Sequence, residues 1–260
     1  MKETALITGA SSGIGREFSK LHASKNGNLV VVARSGDELQ KLKNELEAAH
    51  GISVYVIEKD LTETHAAKEV YDELKAEGIT VDILINNAGF GGLGAFHERE
   101  LEHDLSMIDL NIKALVSLTH FFLQDFIAFN KGRILNVSST ASLMPGPLQA
   151  TYYATKAFVT SFSNALHEEL ADTPITVTNL MPGATETKFG KVSGMDKTDL
   201  FKNTASPAQV AQEGYDAMMN GKMNIKSGLT TGQKMMMSVV PLMPKKVLLK
   251  QIKKMQQVEE

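Results

Sequence analysis

The chain has 260 residues, of which 43% are hydrophobic and 22% charged, so it can form one large domain with a full core. A formal net charge of -3 and a sequence pI near 6.2 leave no basic excess, and we therefore expect no nucleic-acid partner. Without cysteine the chain can form neither a disulfide nor a thiolate metal site, and its start shows no signal-peptide pattern, so we expect a cytoplasmic location.

The first predicted elements are a strand, a glycine-rich turn and a helix. The apolar residues 4–7 lead through TGASSGIG, residues 8–15, into an amphipathic segment that ends near residue 24. Gly9 permits a tight turn, Gly13 lets the backbone approach a pyrophosphate, and Gly15 allows close packing, while helix amides face the negative charge. The predicted contacts of a bound dinucleotide here are Gly9, Ser11, Ser12, Gly13, Ile14 and Gly15.

Residues 28–33 form the second predicted strand, and Arg34 stands just past its end. An enzyme that uses NAD usually has an acidic residue here, whereas a guanidinium can pair with a 2′-phosphate and stack on adenine. Ser35 can add a hydrogen bond, so the sequence favours NADP. The alternative is a solvated surface arginine. Residues 37–50 follow with helical spacing.

Residues 53–57 and 81–85 are the third and fourth predicted strands. The third is followed by Asp60 and Leu61, where the carboxylate could accept a hydrogen bond from adenine or, equally, cap a helix at 63–77. The fourth ends in the cofactor candidates Asn87, Ala88 and Gly89. The alternation of strands and helices predicts an α/β fold: a single Rossmann-type, doubly wound parallel sheet with helices on both faces.

The middle of the chain carries the candidate catalytic residues. A long helical pattern at 102–130 contains Asn111, a polar residue on a mostly apolar surface, which needs a hydrogen-bond partner. The fifth predicted strand, 133–137, delivers Ser138 and Ser139. A helix from residue 151 to about 171 follows, and it carries Tyr152 and Lys156 one turn apart on the same face.

Three of these side chains could together transfer one proton: the hydroxyl of Ser139, the phenol of Tyr152 and the ammonium of Lys156. A free tyrosine has a pKa near ~10, and we expect the neighbouring cation to stabilise the phenolate and lower that pKa. Ser139 could hydrogen-bond the oxygen of a substrate carbonyl. The alternative meaning of Tyr-x-x-x-Lys alone is a half-buried tyrosine beside a solvated lysine.

The sixth predicted strand, 176–180, ends in a turn that could hold a nicotinamide carboxamide. The candidate contacts in this turn are Pro182, Gly183, Thr185 and Thr187. Residues 188–204 are polar and weakly patterned, which predicts a mobile lid. A helix from residue 206 to about 219 and an edge strand at 223–226 complete the predicted Rossmann domain, residues 1–226, which binds the dinucleotide and carries the catalytic residues.

Residues 227–260 are predicted to be an amphipathic helical extension of the same domain. The apolar run 235–243 is too short and too broken to span a bilayer. After Pro244, apolar residues alternate with lysines in a basic amphipathic helix. We expect this helix to pack against the body or a second subunit; association with an anionic membrane surface is the alternative.

Up to about residue 226 the chain resembles the short-chain dehydrogenase/reductase family in its classical form. Six features occur in the family's order and spacing: Thr-Gly-x-x-x-Gly-x-Gly, Asn-Asn-Ala-Gly, an Asn on the next long helix, Ser, Tyr-x-x-x-Lys and Pro-Gly. The extended tail resembles those of DltE-like bacterial reductases and, more loosely, of hydroxysteroid and β-ketoacyl reductases, whose ends contact lipid substrates.

The resemblance implies a role for each matching residue. Tyr152 would donate the proton, Lys156 would anchor the ribose and adjust the tyrosine pKa, and Ser139 would orient the carbonyl. Asn111 would be the relay residue. Gly9, Gly13, Gly15 and Asn87 resemble the family's cofactor floor, Asp60 its adenine contact and Thr187 its carboxamide contact. Arg34 resembles NADP-preferring members, many of which also carry a basic residue where this chain has Ser12.

The implied reaction is hydride transfer from NADPH to a carbonyl carbon, and it requires no metal. The resemblance also implies a homodimer or homotetramer built on the two long helices. The substrate pocket should be bordered by residues 90–96, residues 144–149 and the lid. With no Arg or Lys between Phe90 and Phe96, a lipophilic ketone or aldehyde is favoured. The rivals are a catalytically idle NADP-binding sensor, which the complete Ser, Tyr, Lys and Asn set disfavours, and an NAD-dependent alcohol dehydrogenase, which Arg34 disfavours.

Overall fold

The computed structural model of the protein describes residues 2–240 and 243–257. Its centre is a parallel sheet of seven strands in the order β3-β2-β1-β4-β5-β6-β7. The strands are β1 (Thr4–Thr8), β2 (Asn28–Ala33), β3 (Val54–Glu58), β4 (Ile83–Asn86), β5 (Arg133–Val137), β6 (Thr176–Pro182) and β7 (Asn224–Ser227). The predicted fold class, including the edge strand β7, is confirmed.

Helices connect the strands and extend beyond the last one. They are α1 (Gly13–Ser24), α2 (Gly36–His50), α3 (Ala66–Ala76), α4 (Leu101–Ile108), α5 (Leu115–Phe129), α6 (Ala150–Glu169), α7 (Lys188–Ser193), α8 (Pro207–Met219), α9 (Thr231–Val239) and α10 (Lys245–Gln256). A π-helical segment, Asp109–Ala114, joins α4 to α5. Short 3-10 turns lie at Phe96–Glu98, Thr140–Leu143, Met195–Lys197 and Asp199–Phe201.

The sheet separates two apolar layers, because successive side chains of a strand point to opposite faces. In β1, Ile7 packs in the layer formed with α1, α2 and α8, whereas Leu6 packs in the layer formed with α3 and α5. The strands are buried on both faces, which explains their nearly continuous apolar sequences. Because all seven strands are parallel, their carboxyl ends lie at one edge of the sheet.

Two predicted helices differ from the observed ones. The segment predicted as one helix at 102–130 is interrupted by the π-helical turn around Asn111, which binds a neighbouring loop with its side chain. The helix predicted at 63–77 begins only at Ala66. By length and mean hydropathy of 1.3 alone, Leu101–Phe129 meets the requirements of a membrane span, but in the structure Phe122 and Phe126 of this segment belong to the core.

The region predicted as a mobile lid is folded into α7 and two 3-10 turns. The tail forms α9 and α10, and the latter is the predicted basic amphipathic helix. Leu248 and Ile252 of α10 pack with Val240 and Met144, so the expectation that the helix packs against the body is confirmed for this face. Its lysines point away from that contact and are exposed.

Candidate active site

The turn after β1 lies where the strand order reverses, since β1 pairs with both β2 and β4. Gly9 and Gly13 have positive φ angles of 68° and 55°, which residues with a Cβ rarely adopt. Helix α1 then begins without a side-chain cap from Ser12, so its first amides retain their capacity to bind an anion. Gly15 serves packing, because an added Cβ would lie 2.5 Å from Asn87 Nδ2.

Side-chain hydrogen bonds join the ends of β1 and β4. Thr8 Oγ1 accepts from the amides of Asn87 and Ala88 at 3.0 and 2.9 Å, and Asn87 Nδ2 donates to Thr8 O at 2.8 Å. An added Cβ on Gly89 would lie 2.9 Å from Asn111 Oδ1. The predicted cofactor residues of this strand end therefore lie directly beside the helices that carry the candidate catalytic groups.

Arg34 and Asp60 lie together past the ends of β2 and β3. Arg34 Nη1 is 3.7 Å from Asp60 Oδ2, and the arginine side chain is 71% exposed. Asp60 Oδ1 accepts from Thr62 N and Oγ1 at 2.9 and 2.8 Å, which makes a local turn. The interpretation of Asp60 as a helix cap is wrong, because His65 is the N-cap residue of α3.

The two serines after β5 have different environments. Ser138 is buried, and its Oγ donates to the carbonyl of Lys156 and shares a hydrogen bond with Thr160 Oγ1, each at 2.8 Å. Ser139 Oγ accepts from Ala141 N at 3.1 Å, and its hydroxyl lies close enough to Tyr152 to lower the pKa of that phenol. Only the second serine therefore has its hydroxyl beside the candidate proton donor.

Helix α6 brings Tyr152 and Lys156 onto one face, as the four-residue spacing predicted. The Lys156 ammonium lies 6.0 Å from the centroid of the Tyr152 ring and donates to Val137 O at 2.8 Å. The tyrosine is 9% exposed and the lysine 5%. The alternative of a half-buried tyrosine beside a solvated lysine is therefore wrong.

Burial dominates the ionisation of both groups. It raises the pKa of the Tyr152 hydroxyl well above its usual value, and the nearby Ser139 hydroxyl offsets only part of that effect. The expectation that Lys156 lowers the tyrosine pKa is therefore wrong for this structure. Burial also lowers the pKa of the Lys156 ammonium to about 8. The site pairs a phenol that keeps its proton with an ammonium that can lose one in mild alkali.

Asn111 lies in the π-helical segment, a local irregularity often found at functional sites. Its Nδ2 donates to Phe90 O at 3.0 Å and to Thr155 Oγ1 at 3.1 Å, and its Oδ1 accepts from Phe90 N at 3.1 Å. The side chain thus joins the loop after β4 to the catalytic helix α6. These contacts are the partners that the sequence required for this buried amide.

The turn after β6 forms the opposite wall. Thr185 Oγ1 donates to Gly183 O at 2.9 Å, and Thr187 Oγ1 accepts from Phe189 N at 3.2 Å as the N-cap of α7. An added Cβ on Gly13 would lie 2.9 Å from Thr187 Cγ2, so this turn closes over the glycine-rich turn. The two turns are therefore in close proximity at Gly13 and Thr187.

A family model described as short chain dehydrogenase matches residues 3–198 of this chain. The chain belongs to the short-chain dehydrogenase family. Among curated relatives, the very-long-chain 3-oxoacyl-CoA reductase of Anas platyrhynchos is 32% identical over 84% of this chain and 70% of its own length. The NADP-dependent 3-hydroxy acid dehydrogenase YdfG of Escherichia coli O157:H7 is 36% identical over 68% of this chain and 71% of its own length.

A solved structure, the short-chain dehydrogenase from Sphingobium yanoikuyae in complex with NADPH, superposes with a TM-score of 0.80. It is 30% identical, and the match covers 86% of this chain and 87% of that one. The family and the shared fold make this chain an oxidoreductase of the dehydrogenase type.

The dehydrogenase has one continuous cavity of about 770 Å³ at the carboxyl ends of its strands. The predicted residues that line it are Gly9, Ser11, Ser12, Gly13, Ile14, Arg34, Ser35, Asp60, Leu61, Asn87, Ala88, Gly89, Ser139, Tyr152, Lys156, Pro182, Gly183, Thr185 and Thr187. Gly15 and Asn111 do not line it, and they support its walls through the contacts described above. Within residues 2–240 and 243–257, no cluster of three carboxylate or imidazole groups could hold a metal ion.

The predicted border of the substrate pocket is partly observed. Phe90, Met144 and Gln149 line the cavity, as does the lid through Phe189 and Phe201. The Phe189 and Tyr152 rings lie 5.3 Å apart between centroids, so α7 places an apolar surface next to the proton donor. Phe96, at the end of the predicted border, is 64% exposed instead.

Sequence reasoning missed a whole wall of the dehydrogenase cavity, which comes from the tail. The missed lining residues are Met237, Val240, Met243, Leu248, Gln251, Ile252 and Met255. Lys59, which precedes the predicted Asp60, was also missed. The apolar stripe of α10 signalled a buried face, but a sequence stripe does not identify the surface that it covers.

Proposed function

We propose that the protein is a cytoplasmic, NADP(H)-dependent reductase of lipophilic ketones or aldehydes. The observation that carries this proposal is the arrangement of the Tyr152 phenol, the Ser139 hydroxyl and the Lys156 ammonium on one wall of a mainly apolar cavity. The names of the relatives, which include an NADP-dependent 3-hydroxy acid dehydrogenase, support the reaction type.

The residues present fit NADP. Gly9 and Gly13 line the cavity, and the uncapped start of α1 offers amide donors to the charge of a pyrophosphate. Arg34 would pair with the 2′-phosphate, because its guanidinium borders the cavity. Its contact with Asp60 Oδ2, at 3.7 Å, is long and leaves the guanidinium able to bind a phosphate. When bound, NADPH would supply the hydride.

The chain's own groups would handle the proton. Tyr152, whose raised pKa keeps it protonated at neutral pH, would donate to the carbonyl oxygen that Ser139 holds. The positive charge of Lys156 would stabilise the phenolate left behind and bind the ribose. Asn111 would keep α6 in register with the loop after β4, next to the route by which a relay could return the proton from solvent.

The apolar walls favour a lipophilic substrate. Near Tyr152 the cavity is bordered by Phe90, Met144, Phe189 and Met195, and residues 91–96 contribute no cationic side chain. An apolar substrate body would gain contacts with these side chains.

Two further associations are proposed for the outer surface. The exposed Ile127 and Phe129 at the end of α5 and Phe158 on α6 support a homo-oligomer, a dimer or tetramer, built on these helices. Five lysines on α10, together with the exposed Val247, support peripheral contact with an anionic membrane surface.

The deciding experiment is NADPH and NADH oxidation against hydrophobic aldehydes, diketones and β-ketoacyl thioesters, with Tyr152→Phe as the control. We expect turnover with NADPH that the substitution abolishes. Tight NADPH binding without turnover across the panel would instead favour the idle NADP-binding sensor.

A further inference from the structure

Helix α10 forms one wall of the cavity. Leu248 and Ile252 are buried against Val240, with Met144, Met237 and Met243 around them. Leu248, Ile252 and Met255 all line the cavity. The helix therefore contributes an apolar surface to the same space that holds the Tyr152 phenol.

A hydrogen bond attaches the end of α10 to the catalytic helix. Gln256 is fully buried, and its Nε2 donates to the hydroxyl of Tyr153 at 2.6 Å, across 103 positions of sequence. Tyr153 is the residue next to Tyr152, and the two rings meet edge to face with centroids 6.1 Å apart. The position of the tail helix is thus fixed relative to the proton donor.

The cavity is rich in methionine, and Met144, Met237 and Met243 pack against the cluster that Leu248 and Ile252 form. Met144, Met195, Met237, Met243 and Met255 all line the cavity. Methionine side chains are unbranched and adapt their shape, so such a wall tolerates apolar groups of different outlines. This wall can therefore select for apolar length more readily than for a fixed ring shape.

We infer that α10 is the specificity-determining wall of the dehydrogenase: it binds the extended apolar part of the substrate, and Gln256 holds that wall at a set distance from Tyr152. The favoured substrates are carbonyl compounds with a long, unbranched apolar chain. The inference rests on the proposed reductase function and specifies its substrate class. Leu248, Ile252 and Met255 are the selecting side chains, and Gln256 and Tyr153 are positioning residues.

The test is a chain-length series. For straight-chain aldehydes of about four to about twelve carbons, each methylene that enters the apolar wall should lower KM by about fourfold until the wall is filled. Ile252→Trp fills the space under α10, so KM for the longest aldehydes should rise at least about tenfold while KM for the shortest changes less than about twofold. Lys250→Ala, on the exposed face of the same helix, is the matched control and should leave the series unchanged.

The hydrogen bond between Gln256 and Tyr153 is tested separately with Tyr153→Phe and Gln256→Leu. Each removes one partner of the hydrogen bond, so each should raise KM for long aldehydes more than for short ones, and the double variant should be no worse than the single variants. Equal KM changes at every chain length in these variants and in Ile252→Trp would overturn the inference.

A binding measurement separates this inference from the proposed reaction. Straight-chain 1-alkanols of about four to about twelve carbons should raise Tm increasingly with length, and Ile252→Trp should remove the increase for the longest. This dependence requires no turnover. Its absence in the wild-type protein would overturn the role of α10, whether or not the protein reduces short aldehydes.

Discussion

The ammonium of Lys156 lies 2.8 Å from the carbonyl oxygen of Val137, the last residue of β5. This hydrogen bond holds the lysine beneath Tyr152, in a position where burial lowers its pKa to about 8. The charge that the proposed reaction uses is therefore stable at neutral pH and is lost at a moderately higher pH.

The first prediction concerns this pH dependence. Because the lowered pKa leaves Lys156 charged below about pH 8 and neutral above it, kcat/KM for carbonyl reduction should be level below that pH. Above it, kcat/KM should fall by about tenfold per pH unit. Tyr152 stays protonated across this range, since burial raises its pKa.

Lys156→Arg is the matched variant, since a guanidinium keeps its charge, and the alkaline fall should move to higher pH. The pH dependence of NADPH binding, followed by fluorescence, provides the same test should this variant turn over slowly. If the decrease at alkaline pH occurs at the same pH in Lys156→Arg in both measurements, the titrating group is not Lys156.

The second prediction compares the two serines after β5. Ser139→Ala removes the hydroxyl beside Tyr152, so kcat/KM should fall by about 100-fold to 1000-fold with unchanged NADPH binding. Ser138→Ala removes a buried hydrogen bond to the Lys156 carbonyl, so it should cost about 1 kcal/mol of unfolding free energy and change kcat/KM little. The reverse pattern would contradict the assignment of Ser139.

The third prediction concerns cofactor choice. Arg34→Asp replaces the proposed partner of the 2′-phosphate with a like charge, so the Kd for NADPH should rise by about 10-fold to 100-fold while the Kd for NADH changes little. Arg16→Ala is the control, because Arg16 is another basic residue of this region, pairs with Glu45 at 2.7 Å and does not line the cavity. Equal losses of both cofactors in Arg34→Asp would disprove the role of this arginine.

The fourth prediction concerns the packing of the glycine-rich turn. A Cβ on Gly15 would overlap the Gly9 carbonyl and lie 2.5 Å from Asn87 Nδ2, so Gly15→Ala should lower the free energy of unfolding by about 1–3 kcal/mol and weaken NADPH binding. Gly232→Ala in α9 meets no atom within 4 Å and adds a better helix former, so it should be neutral or stabilising. Urea titrations measure both effects, and similar results for the two variants would refute the packing argument.

Much of the sheet could be predicted because buried parallel strands have recognisable sequences. The bounds of β2 and β5 match the predicted residues 28–33 and 133–137, since each buried run is followed by a polar residue, Arg34 or Ser138. The π-helical segment could not be predicted. Its apolar spacing continues that of α4 and α5, and only the contact of Asn111 with the Phe90 backbone shows why the helix widens there.

The candidate site was predictable where the chemistry lies in short motifs. Tyr152 and Lys156 share a face because of their spacing alone, but the direction of the tyrosine pKa depends on burial, which the motif does not contain. The tail was harder still. Sequence identifies the apolar stripe of α10, whereas its contact with Met144 and the bond from Gln256 to Tyr153 depend on residues more than 100 positions away.

The position of α10 also affects how this enzyme can diverge. Leu248 and Ile252 form a small cluster of their own with Val240, and neither belongs to the two apolar layers that stabilise the sheet. If α10 binds the substrate as proposed, substitutions at Leu248 or Ile252 would change what the cavity accepts while the two apolar layers of the sheet stay intact. Substrate preference would then change through α10 while the reaction chemistry of Tyr152 and Lys156 stays the same.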